Sequence, residues 1–516
     1  MLRFRLRREF VKRRFSISNI VFLSISGVLF YILNQSKNEM WDGVIPLYSH
    51  ESGNFRLLRE YMFSDGWHLQ YFLFRAEYFV SGFTGLQPRS LNFGIEIIAL
   101  FTLMINTRWI LKNLFGVSRR YSSIAGAYFG FLPIWSILYS SIHNIHIISF
   151  ALCLLGIRLI NSNRINFSLF GFLSILISFQ LNSLLVLAPS IQFIIDTNFL
   201  RTFKIHKCLK SLYLALMAGI YFLLHNLIFH TYGYYRDYNK IHLPQNNLEL
   251  LQLYKGFLNF YTWLFSTTIL IFILGIFSIT QRKLGPQNKL IKSSYQIIIS
   301  LVFLSVSATI PYLAVGKCTS ILDFKDWGYR QGIGIAFISA ISVGMLLNQI
   351  DLFNSSFFTS KRMDIVVSIF FIILLVISNL SFTEKASSNS FRQGLTSIIK
   401  NQNIPKTANV IILVPFEPQP VLRSYEMQYL LWVAKKTNRG NIIISSDFRM
   451  VKNFDFDKFN LEGTNLWGEN TGTNTLLMKI DSKSIFRNPI ANLFISNCPS
   501  SYQLKLIGMQ HLNSRS

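Results

Sequence analysis

Apolar runs of about 20 residues recur along most of the chain, separated by short polar or basic segments. Each run is long enough to cross a hydrocarbon core of about 30 Å as a helix. We therefore predict about eleven membrane spans. They are, approximately, Ser16–Asn34, Leu91–Leu111, Ser122–Tyr139, Ile145–Ile160, two within Ile165–Ile195, Ser211–Phe229, Phe257–Thr280, Ser294–Leu313, Gln331–Leu347 and Met363–Ser381.

The stretch Ile165–Ile195 has two interpretations. A polar break at Gln180–Ser183 divides it into two short spans, spans 5 and 6. The alternative is one tilted helix, which would reverse the orientation of every later segment. Two spans place the basic loop Arg201–Lys210 and most later basic loops on the same side as the N-terminus, so this interpretation is favoured.

The basic residues predict the orientation. The first fourteen residues hold seven Arg or Lys and one Glu, which is typical of a cytoplasmic end before a span. The prediction is a cytoplasmic N-terminus (1–15), a transmembrane domain (16–381) with a large first outer loop (35–90), and a periplasmic soluble domain (382–516). The predicted location is the bacterial inner membrane, with both the first loop and the tail outside.

Composition supports a membrane protein. Hydrophobic residues make up 51% of the chain and charged residues 14%, whereas a soluble protein carries about a quarter charged. The net charge of +26 comes from clusters between apolar runs and not from one basic domain. We therefore do not predict nucleic acid as a partner. Four scattered cysteines are too few for a disulfide framework or a zinc site.

The tail predicts a small α/β domain. We expect a helix at Asn389–Lys400, a buried strand at Asn409–Val414, a helix at Ser424–Lys436 and a second strand at Asn441–Ser445. The pattern after about Ser446 predicts no particular element.

Candidate catalytic carboxylates lie in the first outer loop. The sequence has no Walker loop, dinucleotide fingerprint, HExxH or GxSxG motif. Asp42, after Trp41, stands just beyond span 1, where a carboxylate can take a proton from an attacking hydroxyl. Its alternative role is a turn residue. Asp65 is the second candidate, and Glu96 within span 2 is an ionisable residue that could instead reach water.

Basic and aromatic residues follow in later outer loops. Arg330 stands at the outer mouth of span 10, where a guanidinium can hold a phosphate by two hydrogen bonds, and Lys317 adds a charge nearby. Asp326 and Trp327 are candidates for a substrate groove, as is Arg236 in the loop after span 7. Interfacial anchoring is the alternative role for these side chains.

This arrangement resembles the GT-C superfamily of integral membrane glycosyltransferases. The shared features are the basic cytoplasmic N-terminus, the acidic residue behind span 1, amphipathic interfacial helices in a long first loop and an outer soluble domain. Bacterial members of similar layout include glucosyltransferases that modify O-antigen. The resemblance implies that Asp42 is the general base, that Arg330 and Lys317 bind the phosphate of a polyprenyl-phosphate sugar, and that the acceptor is a glycan or lipid. This chain has one Asp after Trp41 in place of the family's paired acidic motif, so participation of a divalent metal is left open.

Two other functions compete with this expectation. An O-antigen polymerase-like enzyme also has many spans, but typically places large arginine-rich loops in mid-chain, unlike this sequence. A polysaccharide or lipid transporter or flippase often shows inverted repeats and midplane charges, and this sequence shows no repeat.

Overall fold

The structure is a computed structural model that describes part of the chain. The described residues are 43–162, 164–197, 208–228, 288–315, 331–353, 389–405, 408–414, 442–445, 474–485, 501–512 and the single residues 247, 385, 426, 429, 430, 432 and 433. Predicted spans 1, 8 and 11 lie outside them. The helices before the tail are α1 (Val44–Ser52), α2 (Phe55–Ser64), α3 (His68–Thr84), α4 (Pro88–Leu114), α5 (Arg119–Gly130), α6 (Asn144–Ile160), α7 (Ile165–Ser178), α8 (Leu184–Thr197), α9 (Leu209–Ile228), α10 (Asn288–Leu313) and α11 (Ile333–Phe353).

The described part of the chain is mostly helical and includes candidate membrane spans. Three stretches are long and apolar enough to cross a bilayer, namely Pro88–Asn113, Ser141–Ile160 and Leu209–Ile228. Shorter apolar helices cover Ile165–Ser178, Leu184–Thr197, Ile299–Tyr312 and Ile333–Asn348. The prediction of a helical protein with apolar membrane-type helices is thus confirmed, while the number of eleven spans stays a prediction.

The third predicted span is not one continuous helix. The sequence pattern predicted a helix over Ser122–Tyr139, but α5 ends at Gly130 and a 3-10 helix follows at Pro133–Tyr139. Proline lacks the amide hydrogen that an α-helix needs and clashes with the preceding turn, so the α-helix ends before Pro133. Residues on both sides of this break are apolar, so the hydropathy of the sequence does not reveal where the α-helix ends.

Several helices expose apolar side chains in the manner of lipid-facing helices. On α9, Leu223 is 60% exposed and Leu227 75% exposed, and α7 exposes Leu169 and Phe170. Helix α3 buries Gln70 and Glu77 together with Phe74 and Tyr78, and it exposes Phe72, Phe79 and Phe83. Contiguous apolar faces of this kind suit a hydrocarbon or interfacial environment.

The stretch from α7 to α8 forms a helical hairpin. Near the start of α7, the Ser168 hydroxyl donates to the carbonyl of Ile160 at 3.3 Å. Near the end of α8, the amides of Gln192 and Asn161 exchange two hydrogen bonds of 2.9 and 3.2 Å. Both ends of the stretch therefore lie beside the C-terminus of α6. A single helix would separate them by about 1.5 Å per residue, so the two-helix prediction is confirmed.

We expect cysteines placed at the tip and the base of this hairpin to react from opposite sides of the membrane. Asn182 at the tip and Arg164 at the base are both exposed. In a cysteine-free chain, Asn182→Cys should react with an impermeant maleimide added outside intact cells. Arg164→Cys should react only after permeabilisation. Labelling of both from one side would contradict insertion of the hairpin across the bilayer.

Basic residues collect at one end of the helical bundle. Arg119 begins α5, Arg164 precedes α7, and Lys210 donates from the start of α9 to the carbonyl of Ile160 at 2.9 Å. The Asn348 side chain of α11 accepts from the amide of Ser118 at this same end, at 2.9 Å. Three loops that the sequence predicts on one side of the membrane thus lie at one end of the bundle, called here the basic end.

The tail contains a four-stranded mixed sheet. Its strands are β1 (Ala408–Leu413), β2 (Ile442–Ser445), β3 (Asn474–Ile485) and β4 (Ser501–Leu512), in the order β2-β1-β3-β4. β1 is parallel to β2 and β3, and β4 pairs antiparallel with β3. A helix at 389–400 packs Phe391 and Leu395 against one face. The predicted helix at 389–400 and the two predicted strands are confirmed, while most of the predicted helix Ser424–Lys436 lies outside the described residues. Strands β3 and β4 are additions that the sequence pattern did not predict.

Candidate functional site

A network of buried polar side chains lies at the end of the bundle opposite the basic end. It joins α3 to the beginnings of α4 and α6, and each side chain is at most 9% exposed. We call it the junction network, and it consists of Gln70, Glu77, Arg89, Asn92, Glu96 and Asn144. Burying polar and charged groups among apolar helices is costly unless they pair, so their partners define what the site can do.

Amides and a carboxylate form the first part of the junction network. The Asn92 amide donates to Glu77 Oε2 at 2.7 Å, and the Asn144 amide donates to Asn92 Oδ1 at 2.6 Å. The Gln70 amide donates to the Ile142 carbonyl at 2.7 Å and lies 3.4 Å from Asn144 Oδ1. One chain of hydrogen bonds therefore connects α3, α4 and α6.

An ion pair forms the second part. Arg89 Nη1 lies 3.3 Å from Glu96 Oε1, and Nη2 of the same arginine donates to the carbonyl of Leu138 in the 3-10 segment. The Glu96 side chain is completely buried. Arg89 thus links the first turns of α4 to the segment where α5 has ended, and both side chains of the ion pair are buried.

A turn with an acidic residue and aromatic neighbours borders the network. Asp65 is 7% exposed and ends α2, and Gly66 adopts φ of 79°, a left-handed conformation that favours glycine. The following Trp67 packs edge-on against His146, with ring centroids 5.9 Å apart. The ring of His146 in turn lies 5.5 Å from that of His143. Asp65 therefore lies in a turn that contacts the start of α6.

His68 follows this turn and is the first residue of α3. Its Nδ1 donates to the Gly66 carbonyl at 3.1 Å, and its ring lies 4.3 Å from that of Phe63. Partial burial lowers the pKa of His68 below its usual value, and the charge of His225 lowers it further, although the Gly66 carbonyl acts in the opposite direction. Burial therefore favours the uncharged form of this imidazole.

Of the candidate acidic residues predicted from the sequence, the structure describes Asp65 and Glu96, and Glu96 belongs to the junction network. Asp65 lies in the turn beside the junction network. Asp42 and Trp41 directly precede the described residues, and the others also lie outside them, so their predicted roles stay predictions. These others are Arg236, Lys317, Asp326, Trp327 and Arg330.

The sequence contained a signal for part of the junction network. Arg89, Asn92 and Glu96 follow the i, i+3, i+7 spacing that places side chains on one face of a helix. A polar face on an otherwise apolar span predicts a buried polar contact. Sequence reasoning considered Glu96 alone and missed Glu77, Arg89 and Asn144. The partners on α3 and α6 carry no local signal, because 52 residues separate Asn144 from Asn92.

The described residues do not form a metal centre. Among them, no three His, Cys, Asp or Glu side chains form a group that could hold a metal ion. The carboxylates of the junction network are instead engaged by the amide of Asn92 and the guanidinium of Arg89.

No protein-family model, curated protein or solved structure matches the chain. Its function is therefore inferred from its own residues.

Proposed function

We propose that this protein is an integral membrane glycosyltransferase that moves a sugar from a polyprenyl-phosphate donor to a cell-envelope glycan or lipid on the outer side of the membrane. The observation that carries the proposal is the junction network, with the Asp65 turn beside it. Ionisable groups buried among apolar helices mark functional sites in membrane proteins, because their burial is otherwise costly.

The surroundings of this network favour a substrate held in the bilayer. Helix α3 buries Gln70 and Glu77 towards the network, while Phe72, Phe79 and Phe83 project from its other face. Apolar faces of this kind insert at the hydrocarbon boundary. A polyprenyl chain in the membrane would therefore bring its phosphate and sugar to the level of α3.

The contacts also support an outward-facing site. The tail contacts α1 of the first loop through Trp432, which packs on Tyr48 with ring centroids 5.0 Å apart. Two segments in contact outside the spans share one side of the membrane, and the basic end lies on the other. Since basic loops favour the cytoplasm, we assign the first loop, the junction network and the tail to the outer side.

The proposed reaction is a single displacement that inverts the sugar carbon. A carboxylate takes the proton of the acceptor hydroxyl while that oxygen bonds to the anomeric carbon, and the bond from this carbon to the phosphate oxygen breaks. Polyprenyl phosphate leaves with the electron pair. Asp42 is the proposed base, with Asp65 as the second candidate. Arg330 and Lys317 hold the leaving phosphate, and the proposed groove is lined by Trp41, Asp326, Trp327 and Arg236.

A lipid or polysaccharide flippase is the second candidate, favoured by one observation. Glu96 is completely buried within a stretch long enough to span the membrane, as expected of residues on a transport path. Purified protein in vesicles separates the two functions. A flippase moves a labelled lipid-linked sugar between leaflets and yields no glycosyl product, whereas a transferase releases polyprenyl phosphate and extends the acceptor.

The proposal predicts that neutralising the catalytic carboxylate abolishes transfer without affecting insertion. Asp42→Asn should reduce product by about 100-fold or more, because general-base catalysis typically contributes that much. The measurement is mass spectrometry of surface glycans from cells with wild-type or variant protein, at matched protein levels. The mass added by the wild type also identifies the sugar and separates addition of one residue from polymerisation of repeats.

Two further variants make this test specific. Asp65→Asn distinguishes the two acidic candidates, since only the base should be indispensable. Glu60→Gln is the matched control, because it also neutralises a carboxylate of the first loop but one whose side chain is 49% exposed. Unchanged product with both Asp variants would exclude the proposed base. Identical surface glycans with and without the wild-type protein would exclude the proposed function.

A further inference from the structure

The C-terminal domain contacts the first outer loop through aromatic side chains. Trp432 is 7% exposed, and its ring meets that of Tyr48 on α1 nearly perpendicularly, at 88°. The neighbouring Tyr429 lies 6.3 Å from Trp432, ring to ring, and its hydroxyl donates to Glu51 Oε1 at 3.5 Å. Edge-to-face aromatic pairs of this kind stabilise contacts beyond the area they bury.

The segment that carries these aromatic residues is fixed to the body of its own domain. We call the helical residues Glu426, Tyr429, Leu430, Trp432 and Val433 the docking segment. Arg392 donates to both carboxylate oxygens of Glu426, at 2.7 and 3.2 Å, and both side chains are buried. Leu430 belongs to the same apolar core as Phe391 and the sheet. A bidentate pair fixes the orientation of its two side chains as well as their distance. The docking segment is therefore held against the sheet on one side and contacts α1 on the other.

Helix α1 needs such external support. It has nine residues, and Gly43, which precedes its first residue, has no side chain to cap the first turn. Helices of this length are marginal in water without tertiary packing. The buried face of α1 includes Val44, Ile45 and Tyr48, which share one apolar cluster with Trp432. The tail therefore supplies part of the packing that holds α1 in place.

We infer that the C-terminal domain positions α1 through Trp432, which packs on Tyr48 in the middle of this helix. Asp42, where the general base is proposed, lies two residues before α1 in the sequence. Trp432 is thus a positioning residue for transfer and not a catalytic one. This inference deepens the proposed function and rests on it. It assigns the tail a partner within the same chain, namely the first outer loop.

Cross-linking in the full-length protein tests the docking directly. Glu51→Cys and Tyr429→Cys are introduced into a cysteine-free chain, so that Trp432 is retained. A short bismaleimide should join them in native membranes, as measured by mass spectrometry of the linked peptides. Trp432→Ala should reduce the linked fraction several-fold, and Trp432→Phe, which keeps an aromatic ring against Tyr48, should restore most of it.

Steady-state kinetics tests the positioning role. The same Trp432 variants are made in the otherwise wild-type chain for this measurement. Trp432→Ala should lower kcat by about 10- to 100-fold, because misplacing a catalytic group by about 1 Å has effects of this size. KM for the donor should stay nearly unchanged, and Trp432→Phe should recover kcat. Ile507→Ala is the matched control in the tail, since this side chain on β4 is 66% exposed, and it should change neither readout.

The two readouts separate failure of the inference from failure of the proposed function. Absence of cross-linking with Trp432 present would overturn the docking. Loss of cross-linking in Trp432→Ala with kcat intact would overturn the positioning role. A cross-link that depends on Trp432 in a protein that transfers no sugar would support the docking and overturn the transferase function.

Discussion

Replacing Arg89 with methionine is expected to lower the free energy of unfolding by about 3–5 kcal/mol. The reason is that Glu96 is completely buried and has its ion-pair contact with Arg89 at 3.3 Å. Removing Arg89 takes away an opposite charge that offsets the cost of burying the Glu96 carboxylate. The carbonyl of Leu138 would also lose the guanidinium as a donor. Thermal unfolding of the full-length protein in detergent measures this loss.

The double variant Arg89→Met/Glu96→Met should recover most of this stability. Replacing a whole buried pair by apolar side chains of similar volume is often neutral or stabilising. The matched control is Arg56→Met, which removes an arginine from a closer pair with Glu60, at 2.7 Å, whose side chains are 81% and 49% exposed. It should leave stability almost unchanged, because exposed pairs contribute little.

The Arg89–Glu96 pair also allows a structural role of these side chains to be distinguished from a role in substrate binding. A double variant that is stable and still transfers sugar would show that Arg89 and Glu96 only hold α4 in place. A double variant that is stable but inactive would show that they contact the substrate. An Arg89→Met variant as stable as the wild type would contradict the buried ion pair itself.

The sequence pattern predicted a helix correctly where the ends of an apolar run coincide with the ends of the helix. The runs that became α4, α6 and α9 are long and predominantly apolar, and their predicted bounds differ from the observed ones by a few residues. The turn between α7 and α8 was predicted because Gln180 and Asn182 interrupt an apolar run. The break before Pro133 was missed because apolar residues surround it, and hydropathy does not report backbone geometry.

The contacts within the candidate site could be predicted from the sequence less well than the helices. The spacing of Arg89, Asn92 and Glu96 identifies one polar face, but its partners are set by how helices pack. The distance in sequence between Gln70 and Asn144 is 74 residues. The pairing of β3 with β4 also joins residues distant in sequence, since Thr475 pairs with Leu512. Such contacts depend on tertiary structure, which local patterns do not encode.

A Gly171→Ala substitution is expected to lower the free energy of unfolding by about 3 kcal/mol, because it forces apart two helices. A methyl group at Gly171 would lie 2.7 Å from the carbonyl oxygen of Gly156 and 2.8 Å from the amide nitrogen of Ile160. These are backbone atoms of α6, which cannot give way as a flexible side chain can. Small residues permit this approach of helices in membrane proteins. Unfolding in detergent, followed by circular dichroism, measures the effect.

The control is a glycine-to-alanine substitution at a position where no neighbouring atom is close. A methyl group at Gly219 in α9 would meet no heavy atom within 4 Å among the described residues. Gly219→Ala should therefore stabilise the protein slightly, by up to about 1 kcal/mol, since alanine favours the helix. Equal stability of the two variants would contradict the close contact between α6 and α7. Because α6 begins with Asn144 and carries His146, separating it from α7 should also impair sugar transfer, which Gly219→Ala should leave intact.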